Sequence, residues 1–269
     1  MLVFYAFILA VVQALTEFLP VSSSGHLVIL HKFLDIGMID ALTFDVALHF
    51  GTTLALILFF RSQLLKYIKA FVQMFSSFNL ANGEQKTVVN LILATIPAAL
   101  AGFFLEQYIE LYFRHLMVVV VALITGGIVI ILVEKYAKKK TTFEGLSFLE
   151  SIVIGCAQAL ALIPGVSRSG ATIITGMLLK LKRDEAAQFS FILSIPIVLG
   201  ATLKKLLDLD ITAVTGSEWS IFAFGVFISF IFGYFVIKYF IRFVQRRSLS
   251  IFGYYRIILG LILLLLILL

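Results

Sequence analysis

Long apolar runs dominate this chain and decide what it can fold into. Six of them have the length of complete membrane spans, at roughly residues 41–60, 88–105, 116–134, 187–203, 219–237 and 251–269. A helix needs about 20 mostly apolar residues to cross the roughly 30 Å of bilayer hydrocarbon. Only 13% of the residues are charged and 61% are hydrophobic, a balance that cannot cover a water-exposed surface. The sequence therefore predicts an all-α integral membrane protein, with one membrane domain over residues 1–269.

Two further apolar stretches, roughly 2–30 and 148–179, are interrupted by polar residues, proline and glycine. The first contains Glu17 and the second contains Arg168. A lone charge at the bilayer centre costs about 2.5–3.5 kcal/mol on insertion scales. Broken backbone at that depth is tolerated only inside protein or beside a water-filled cavity. We interpret both stretches as re-entrant broken-helix elements, which enter and leave the membrane on the same side.

The distribution of basic residues supports this interpretation for the second stretch. If both stretches are re-entrant, fifteen basic loop residues lie on one side and four on the other, namely Lys32, Arg114, Lys204 and Lys205. If the second stretch crossed the membrane, the division would be ten against nine. Cytoplasmic loops carry the excess of lysine and arginine, so the uneven division is favoured. The same count does not decide the first stretch, because no basic loop precedes it.

The two interrupted stretches also resemble each other. QALTEFLPVSSSG, beginning at Gln13, aligns with QALALIPGVSRSG, beginning at Gln158, at an offset of 145 residues. The span after the first copy runs toward the basic side, whereas the span after the second runs away from it. This pattern predicts an inverted-topology repeat with halves of roughly 1–134 and 146–269, as in many transporters. Elements that enter from opposite faces would bring their polar tips together at one site.

The second motif has the features of an anion site. A Pro-Gly break leads through Ser-Arg-Ser-Gly into an apolar run, which predicts a loop that feeds a helix N-terminus. Unpaired N–H groups and the positive end of the helix dipole favour an anion there. An arginine fork matches phosphate oxygens, and nearby hydroxyls add donors. The predicted phosphate-binding residues are Gly165, Ser167, Arg168, Ser169 and Thr172. A structural alternative, compatible with binding, pairs Arg168 with Glu17 and makes the serines helix caps.

The first motif supplies groups for phosphoryl transfer. Such a site needs charge neutralisation, a nucleophile or positioned water, and an acid or base that works near neutral pH. Glu17 is a candidate ligand for a divalent metal bound through phosphate oxygens. A serine can attack with His26 as base, or His26 can activate water directly. The candidate residues are Glu17, Ser22, Ser23 and His26 for catalysis, and Gln13 and Ser24 for substrate binding.

The remaining histidines, the single cysteine and the net charge say less about function. We interpret His31, His49 and His115 as structural or incidental. The single Cys156 excludes an intrachain disulfide and a cysteine-based zinc cluster. The net charge of +6 is scattered between apolar runs, which argues against a nucleic-acid partner.

Both motifs together, with FSFILSIP from Phe189 to Pro196, resemble the undecaprenyl-diphosphate phosphatase family, also called the bacitracin-resistance family. The resemblance covers essentially the whole chain. It implies a multi-pass enzyme of the bacterial inner (cytoplasmic) membrane, with an active site that opens toward the outer face. Such an enzyme hydrolyses undecaprenyl diphosphate to undecaprenyl phosphate and inorganic phosphate, with a divalent cation, Mg²⁺ or Ca²⁺. This reaction recycles the lipid carrier for peptidoglycan synthesis and thereby supports cell shape and bacitracin resistance.

The resemblance also implies roles for single residues. Glu17, Ser22, Ser23 and His26 match the acidic and Ser/His positions, while Ser167, Arg168, Ser169 and Thr172 match the diphosphate-binding positions. Many relatives have glutamate where this chain has Gln13. A glutamine can position a ligand but cannot act as a base, so a mechanism that needs two carboxylates here is in doubt.

The sequence leaves a second function open. Inverted repeats with broken helices around one site are also the architecture of alternating-access transport. A transporter or flippase of polyprenyl phosphate would need Arg168 and the hydroxyls, but not Glu17 together with His26. The presence of both Glu17 and His26 favours the enzyme over the transporter.

Overall fold

The computed structural model describes residues 2–31, 41–138, 140–208 and 214–269 of the chain. Its described residues form α-helices, in the order α1 (Leu2–Phe18), α2 (Ser23–Leu30), α3 (Ala41–Phe59), α4 (Arg61–Met74), α5 (Gly83–Phe113), α6 (Leu116–Tyr136), α7 (Phe148–Leu160), α8 (Arg168–Leu178), α9 (Arg183–Asp208), α10 (Gly216–Arg246) and α11 (Ser250–Leu268). Within those ranges, six helices are long and apolar enough to cross a membrane: α3, α5, α6, α9, α10 and α11. The predicted all-α membrane fold with six spans is confirmed.

Some helices extend well beyond the predicted spans. The helix predicted at 88–105 runs over Gly83–Phe113, and the one predicted at 219–237 runs over Gly216–Arg246. Hydropathy locates only the apolar part of a helix, whereas hydrogen-bonded caps set where it begins. The Asn82 side chain accepts from the N–H groups of Glu84 and Gln85, and Thr215 forms a capping box with Glu218.

Helix α4 is a feature that the apolar runs did not reveal. Its segment counts as a basic loop in the sequence, but Arg61–Met74 is helical. Lys66 and Lys69 alternate along it with apolar side chains such as Leu65 and Ile68, which are 56% and 58% exposed. This amphipathic pattern is typical of a helix that lies along the membrane surface rather than across it.

The two interrupted stretches each form a helix, a break and a second helix. At about 1.5 Å of rise per residue, the 17 residues of α1 cover about 25 Å and the 13 residues of α7 about 20 Å. Both lengths are below the roughly 30 Å of a hydrocarbon core. With 13 residues, α7 is therefore too short to span a bilayer by itself, whereas the 17 residues of α1 are at the lower limit of a span.

The second of these elements begins and ends at the same end of the molecule. The N–H of Thr141, just before α7, donates to the carbonyl of Lys180, just after α8, over 2.9 Å. At the same end, Arg183 forms an ion pair with the buried Glu134 at the end of α6. The re-entrant path of both elements through the bilayer stays a prediction. Of the basic residues counted above, Lys32 and Lys139 lie outside the described residues.

Packing between the two halves places the broken elements at the centre. Helix α1 packs on α10, α7 packs on α5, and α6 packs along α11. Phe18, at the end of α1, contacts Phe191 of α9 edge to face with 5.2 Å between the ring centroids. Both rings belong to the largest buried apolar cluster of the described residues. The end of α1 is therefore buried against α9 of the second half, inside the helix bundle.

Candidate active site

The two motifs build the same local backbone. Ser22 is the N-cap of α2, and its side chain accepts from the N–H of Gly25 over 3.3 Å. Ser167 is the N-cap of α8, and its side chain accepts from the N–H of Gly170 over 3.1 Å. The first N–H groups of a helix have no partner within it, so each cap leaves donors at its helix N-terminus. The repeat thus supplies two helix N-termini suited to an anion.

Both N-cap serines have an unusual backbone. Their φ angles are 73° for Ser22 and 75° for Ser167, and Gly165, in the second break, has φ 96°. A residue other than glycine in this region costs on the order of 1–3 kcal/mol and persists only where the surroundings enforce it. Strain of this kind concentrates at ligand sites and active sites. The surroundings that enforce it here centre on one arginine of α11.

Arg256 joins the two breaks. Its side chain is buried, with 1% exposure. Its guanidinium donates to five backbone carbonyl oxygens, those of Pro20 (3.3 Å), Val166 (3.0 Å), Gly165 (2.9 Å), Ala122 (2.8 Å) and Leu123 (3.3 Å). Gly126 makes room for this arrangement, since a Cβ there would collide with the guanidinium. Arg256 therefore satisfies carbonyl groups that the broken helices leave free, in both halves at once.

Contacts between the motifs bring their tips together. The Ser169 hydroxyl of the second motif donates to the carbonyl of Leu19 in the first over 3.0 Å. A Cβ added to Gly25 would lie 3.4 Å from the Cα of Gly165, so the backbones approach closely. Arg168 also forms an ion pair with Glu17. The two motifs thus share one site.

Glu17 is the centre of this site. Its Oε1 pairs with Nη2 of Arg168. Its Oε2 accepts from the Ser23 hydroxyl over 2.7 Å and from Nε2 of Gln13 over 2.9 Å. The carboxylate is buried, with only 4% of its side chain exposed. Glu17 therefore connects Arg168 of the second half to the hydroxyl of Ser23 in the first half.

His49 is the fourth neighbour of Glu17, so among the structural or incidental roles expected for it the incidental one does not apply. Its Nδ1 lies 3.1 Å from Glu17 Oε2 and 2.8 Å from Gln13 Nε2. The same nitrogen cannot donate to the carboxylate and accept from the amide at once. The geometry therefore offers two proton positions, one with Nδ1 protonated toward Glu17 and one with Nδ1 accepting from Gln13. This arrangement suits a group that takes up or releases a proton beside Glu17.

His26 lies on a different side of the motif. Its Nδ1 is 2.7 Å from the carbonyl of Ser22, and its Nε2 is 2.7 Å from the hydroxyl of Tyr255. The two rings are nearly parallel, with 5.8 Å between centroids. Because both ring nitrogens have these partners, His26 is oriented by Ser22 and Tyr255 rather than by a serine hydroxyl.

The other predicted residues hold the site together. Ser24 Oγ is 3.4 Å from Ser22 Oγ, and Ser169 Oγ is 3.3 Å from Ser167 Oγ. The Thr172 hydroxyl donates to the Arg168 carbonyl over 2.8 Å and lies 2.6 Å from Ser190 Oγ, in the contact between α8 and α9. The serine caps and the Arg168–Glu17 pair match the structural alternative drawn from the sequence. Phosphate binding by these residues stays a prediction.

The residues fit a divalent cation only if the substrate supplies most of its ligands. No group of three or more His, Cys, Asp or Glu side chains in the described parts of the chain is close enough to hold a metal ion. Mg²⁺ is often bound by one or two carboxylates together with substrate phosphates. Glu17 offers one carboxylate, and Oε1 of Gln13 is buried without a hydrogen-bond partner beside it. These two oxygens fit a cation that is shared with a diphosphate.

Sequence reasoning missed three residues of the site. His49 and Arg256 lie inside long apolar spans, and Tyr255 precedes Arg256 in the last span. None belongs to either motif, and each reaches the site through tertiary packing alone. The only available signal was the presence of a histidine and an arginine within spans, since buried ionisable groups in membrane helices often mark functional sites.

The fold and the site together define a polytopic helical membrane protein with a buried polar centre built from two similar broken helices. The family model described as "Bacitracin resistance protein BacA" matches residues 6–262. The chain belongs to this family, and the resemblance drawn from its two motifs is confirmed.

Relatives with curated names align with this chain over nearly its whole length. The "Undecaprenyl-diphosphatase" of Rubrobacter xylanophilus is 44% identical over 253 residues, which cover 93% of each chain. A protein of the same name from Gemmatimonas aurantiaca is 40% identical over 97% of each chain. The "Undecaprenyl-diphosphatase 1" of Clostridioides difficile is 39% identical over 97% of this chain and 95% of its own.

Proposed function

We propose that this protein is a membrane phosphatase that hydrolyses undecaprenyl diphosphate to undecaprenyl phosphate and inorganic phosphate. The observation that carries the proposal is the hydrogen bond from Ser23 to Glu17, which also pairs with Arg168 of the other motif. A hydroxyl, a base and a phosphate-binding cation are the parts that such a reaction needs. The names of the relatives supply the substrate.

Substrate binding engages the second motif first. Arg168 holds Glu17 with Nη2, while its Nη1 is buried without a hydrogen-bond partner. That free N–H edge is available to a phosphate oxygen, and guanidinium–phosphate contacts are strong. The N-termini of α2 and α8 add backbone donors to the terminal phosphate. The apolar surroundings of the site strengthen each of these interactions, because water does not screen them.

Ser23 is the nucleophile in this mechanism. Its Oγ attacks the terminal phosphorus, its proton passes to Glu17, and the bond from that phosphorus to the bridging oxygen breaks. Undecaprenyl phosphate leaves with the electron pair of that bond. Water then attacks the phosphoserine, and inorganic phosphate and the free serine form. His49 stands beside Glu17 to accept or return its proton.

His26 acts on the other side of the phosphate. Tyr255 and the Ser22 carbonyl fix its ring, so that the imidazole is held beside the N-terminus of α2. Once substrate or water displaces the Tyr255 hydroxyl from Nε2, the imidazole can protonate the leaving phosphate or take a proton from the attacking water. A bound Mg²⁺ or Ca²⁺ would neutralise diphosphate charge, held by Glu17 and the Oε1 of Gln13.

The expected cellular setting follows from the family. We place the enzyme in the bacterial inner (cytoplasmic) membrane, with the site open to the outer face. There it would regenerate the lipid carrier of peptidoglycan synthesis and confer bacitracin resistance. The polyprenyl phosphate transporter is not favoured, because the relatives are named as diphosphatases and Glu17 holds a hydroxyl in place.

The test is phosphate release from undecaprenyl diphosphate by the purified protein in detergent, with and without EDTA. We expect release that stops with EDTA and is lost in Glu17→Gln and in Arg168→Ala, while both variants remain folded by thermal unfolding. No release from folded wild-type protein would contradict the proposal. Movement of polyprenyl phosphate across liposomes would then be the next measurement.

A further inference from the structure

Buried polar atoms without a hydrogen-bond partner occur together in the two broken elements. In the part of the chain that the structure describes, these elements contain four such atoms: Gln13 Oε1, Arg168 Nη1, Gln158 Nε2 and Gln158 Oε1. Native proteins satisfy nearly all buried polar groups with protein, water or ligand. Gln13 and Arg168 already belong to the site described above. Gln158 does not, and both ends of its amide are unpartnered.

Gln158 is the repeat counterpart of Gln13. Each glutamine lies nine residues before the N-cap serine of its motif, Ser22 or Ser167. In the first half this position directs the amide of Gln13 to Glu17 and His49. By the repeat, Gln158 occupies the corresponding buried position in the second half.

The partners of Gln13 have no equivalents around Gln158. The offset of 145 residues places Leu162 opposite Glu17 and Ser194 opposite His49. Leucine offers no polar atom, and the Ser194 hydroxyl already donates to the carbonyl of Phe191 over 2.6 Å. Gln158 has thus kept a buried amide without the groups that satisfy it in the other half. Its side chain is 2% exposed, so bulk water does not replace them.

The position of Gln158 in α7 agrees with a place beside the anion site. It lies in the last turn of the helix, on the same buried face as Ser151, Ile154 and Gly155. Gly155 packs directly against the backbone of Ala94 in α5, and α7 also packs on α8, which begins with Arg168. Gln158 is therefore buried on a helix that packs on both α5 and α8.

We propose that Gln158 is a further substrate-binding residue, whose amide binds the same diphosphate as the free Nη1 of Arg168. This inference rests on the proposed function. Nε2 donates to a phosphate oxygen, while Oε1 accepts from a water molecule on the diphosphate. Because the amide is neutral, it adds directional binding without more positive charge, so the product phosphate is still able to leave. Gln13 would bind the diphosphate beside the divalent cation, and Gln158 would bind it beside Arg168.

The test compares Gln158→Met, which is nearly isosteric and apolar, with the wild type. The first readout is the affinity for methylenediphosphonate, a diphosphate that cannot be hydrolysed, measured by titration calorimetry on the protein in detergent. The second is KM for phosphate release from undecaprenyl diphosphate. We expect affinity to fall about 10-fold or more and KM to rise by a similar factor, since a hydrogen bond to a charged group is lost. Thermal stability should be equal or higher, because no unpartnered amide remains.

A matched control and a cycle of variants make the test specific. Asn90 of α5 is also a fully buried amide with an unpartnered oxygen, and its Nδ2 donates to the carbonyl of Leu146 over 3.1 Å. We expect Asn90→Leu to leave the diphosphonate affinity unchanged. Combining Gln158→Met with Arg168→Lys should weaken binding by less than the product of the two single effects, because both residues bind one ligand.

Unchanged affinity and KM in folded Gln158→Met would overturn the proposal and leave Gln158 as a site for structural water. If that variant fails to fold, Gln158→Glu serves instead. Its added negative charge should repel the diphosphonate more strongly than loss of the amide alone, and wild-type affinity in this variant would equally overturn the proposal. Wild-type protein that binds the diphosphonate but releases no phosphate would contradict the proposed function, while the affinity comparison would still test Gln158.

Discussion

The two broken elements, α1–α2 and α7–α8, have nearly the same backbone but different side chains. In both, a serine with a positive φ caps the second helix and accepts from the glycine three residues later. Yet the first carries Glu17, Ser23 and His26, and the second has Leu162, Arg168 and Ala171 at the equivalent positions. The repeated backbone provides two helix N-termini that face each other. Divergence of the side chains then places the carboxylate, the hydroxyl and the imidazole in one half and the arginine in the other.

The largest expected effect concerns the hydroxyl of Ser23, because the second element has Arg168 at the equivalent position. Ser23→Ala should lower kcat by about 10³-fold or more, because the nucleophile is removed. The measurement is steady-state phosphate release, with thermal unfolding to show that the variant is folded. Turnover within a few-fold of wild type would mean that water attacks directly and that the two halves differ less than proposed.

The next effect concerns Arg256, which donates to carbonyl groups in the breaks of both elements. Arg256→Gln should lower the free energy of unfolding by about 3 kcal/mol, because the buried carbonyl oxygens of Pro20, Gly165 and Val166, which lie in the two breaks, lose a donor. Arg256→Lys should recover little of the stability lost in Arg256→Gln, since an ammonium has three donors and no planar fork. Thermal unfolding in detergent measures the change. Wild-type stability in Arg256→Gln would show that the breaks hold their conformation without this contact.

A smaller effect should be the same in both halves. Ser22→Ala and Ser167→Ala each remove one N-cap, and we expect each to cost about 1 kcal/mol of stability. Thermal unfolding of the two variants under identical conditions compares them directly. If only one variant were destabilised, the two backbones would not be energetically equivalent, despite their similar φ angles and cap distances.

The smallest expected effect concerns Glu150, a residue outside the site. Glu150 closes a capping box at the start of α7, where its carboxylate accepts from the N–H and the hydroxyl of Ser147, each over 2.8 Å. Glu150→Gln should lower stability by less than about 1 kcal/mol and leave KM unchanged, because the cap only fixes the helix start. A clear rise in KM would mean that the position of α7 controls the anion site more tightly than the comparison suggests.

Much of this fold could be predicted from the sequence, because the bilayer imposes a length and a composition on each span. The six long helices and the two breaks follow from hydropathy and from the polar motifs around Pro20 and Pro164. Helix α4 could not be found in this way, since its amphipathic face gives no continuous apolar run. The lengths of α5 and α10 depend on caps, which hydropathy does not detect.

The candidate site was predictable only where its residues lie in the motifs. The motifs indicated that Glu17 and Arg168 share a site, and the two form an ion pair. His26 was expected to act as base on a serine or on water, which stays a prediction; the structure places its ring between the Ser22 carbonyl and Tyr255. His49 and Arg256 come from distant spans, and only the packing of α3 and α11 brings them to the breaks. A local pattern does not contain that information.

The central claim is that Glu17 of one half and Arg168 of the other act on the same phosphate. A double-mutant cycle on kcat/KM for undecaprenyl diphosphate, with Glu17→Asp and Arg168→Lys, tests it most directly, because these mild changes leave measurable activity. We expect the double variant to lose clearly less than the product of the two single losses, with coupling of about 1 kcal/mol or more. Losses that multiply, in variants that remain folded, would contradict the claim and separate the two halves into independent sites.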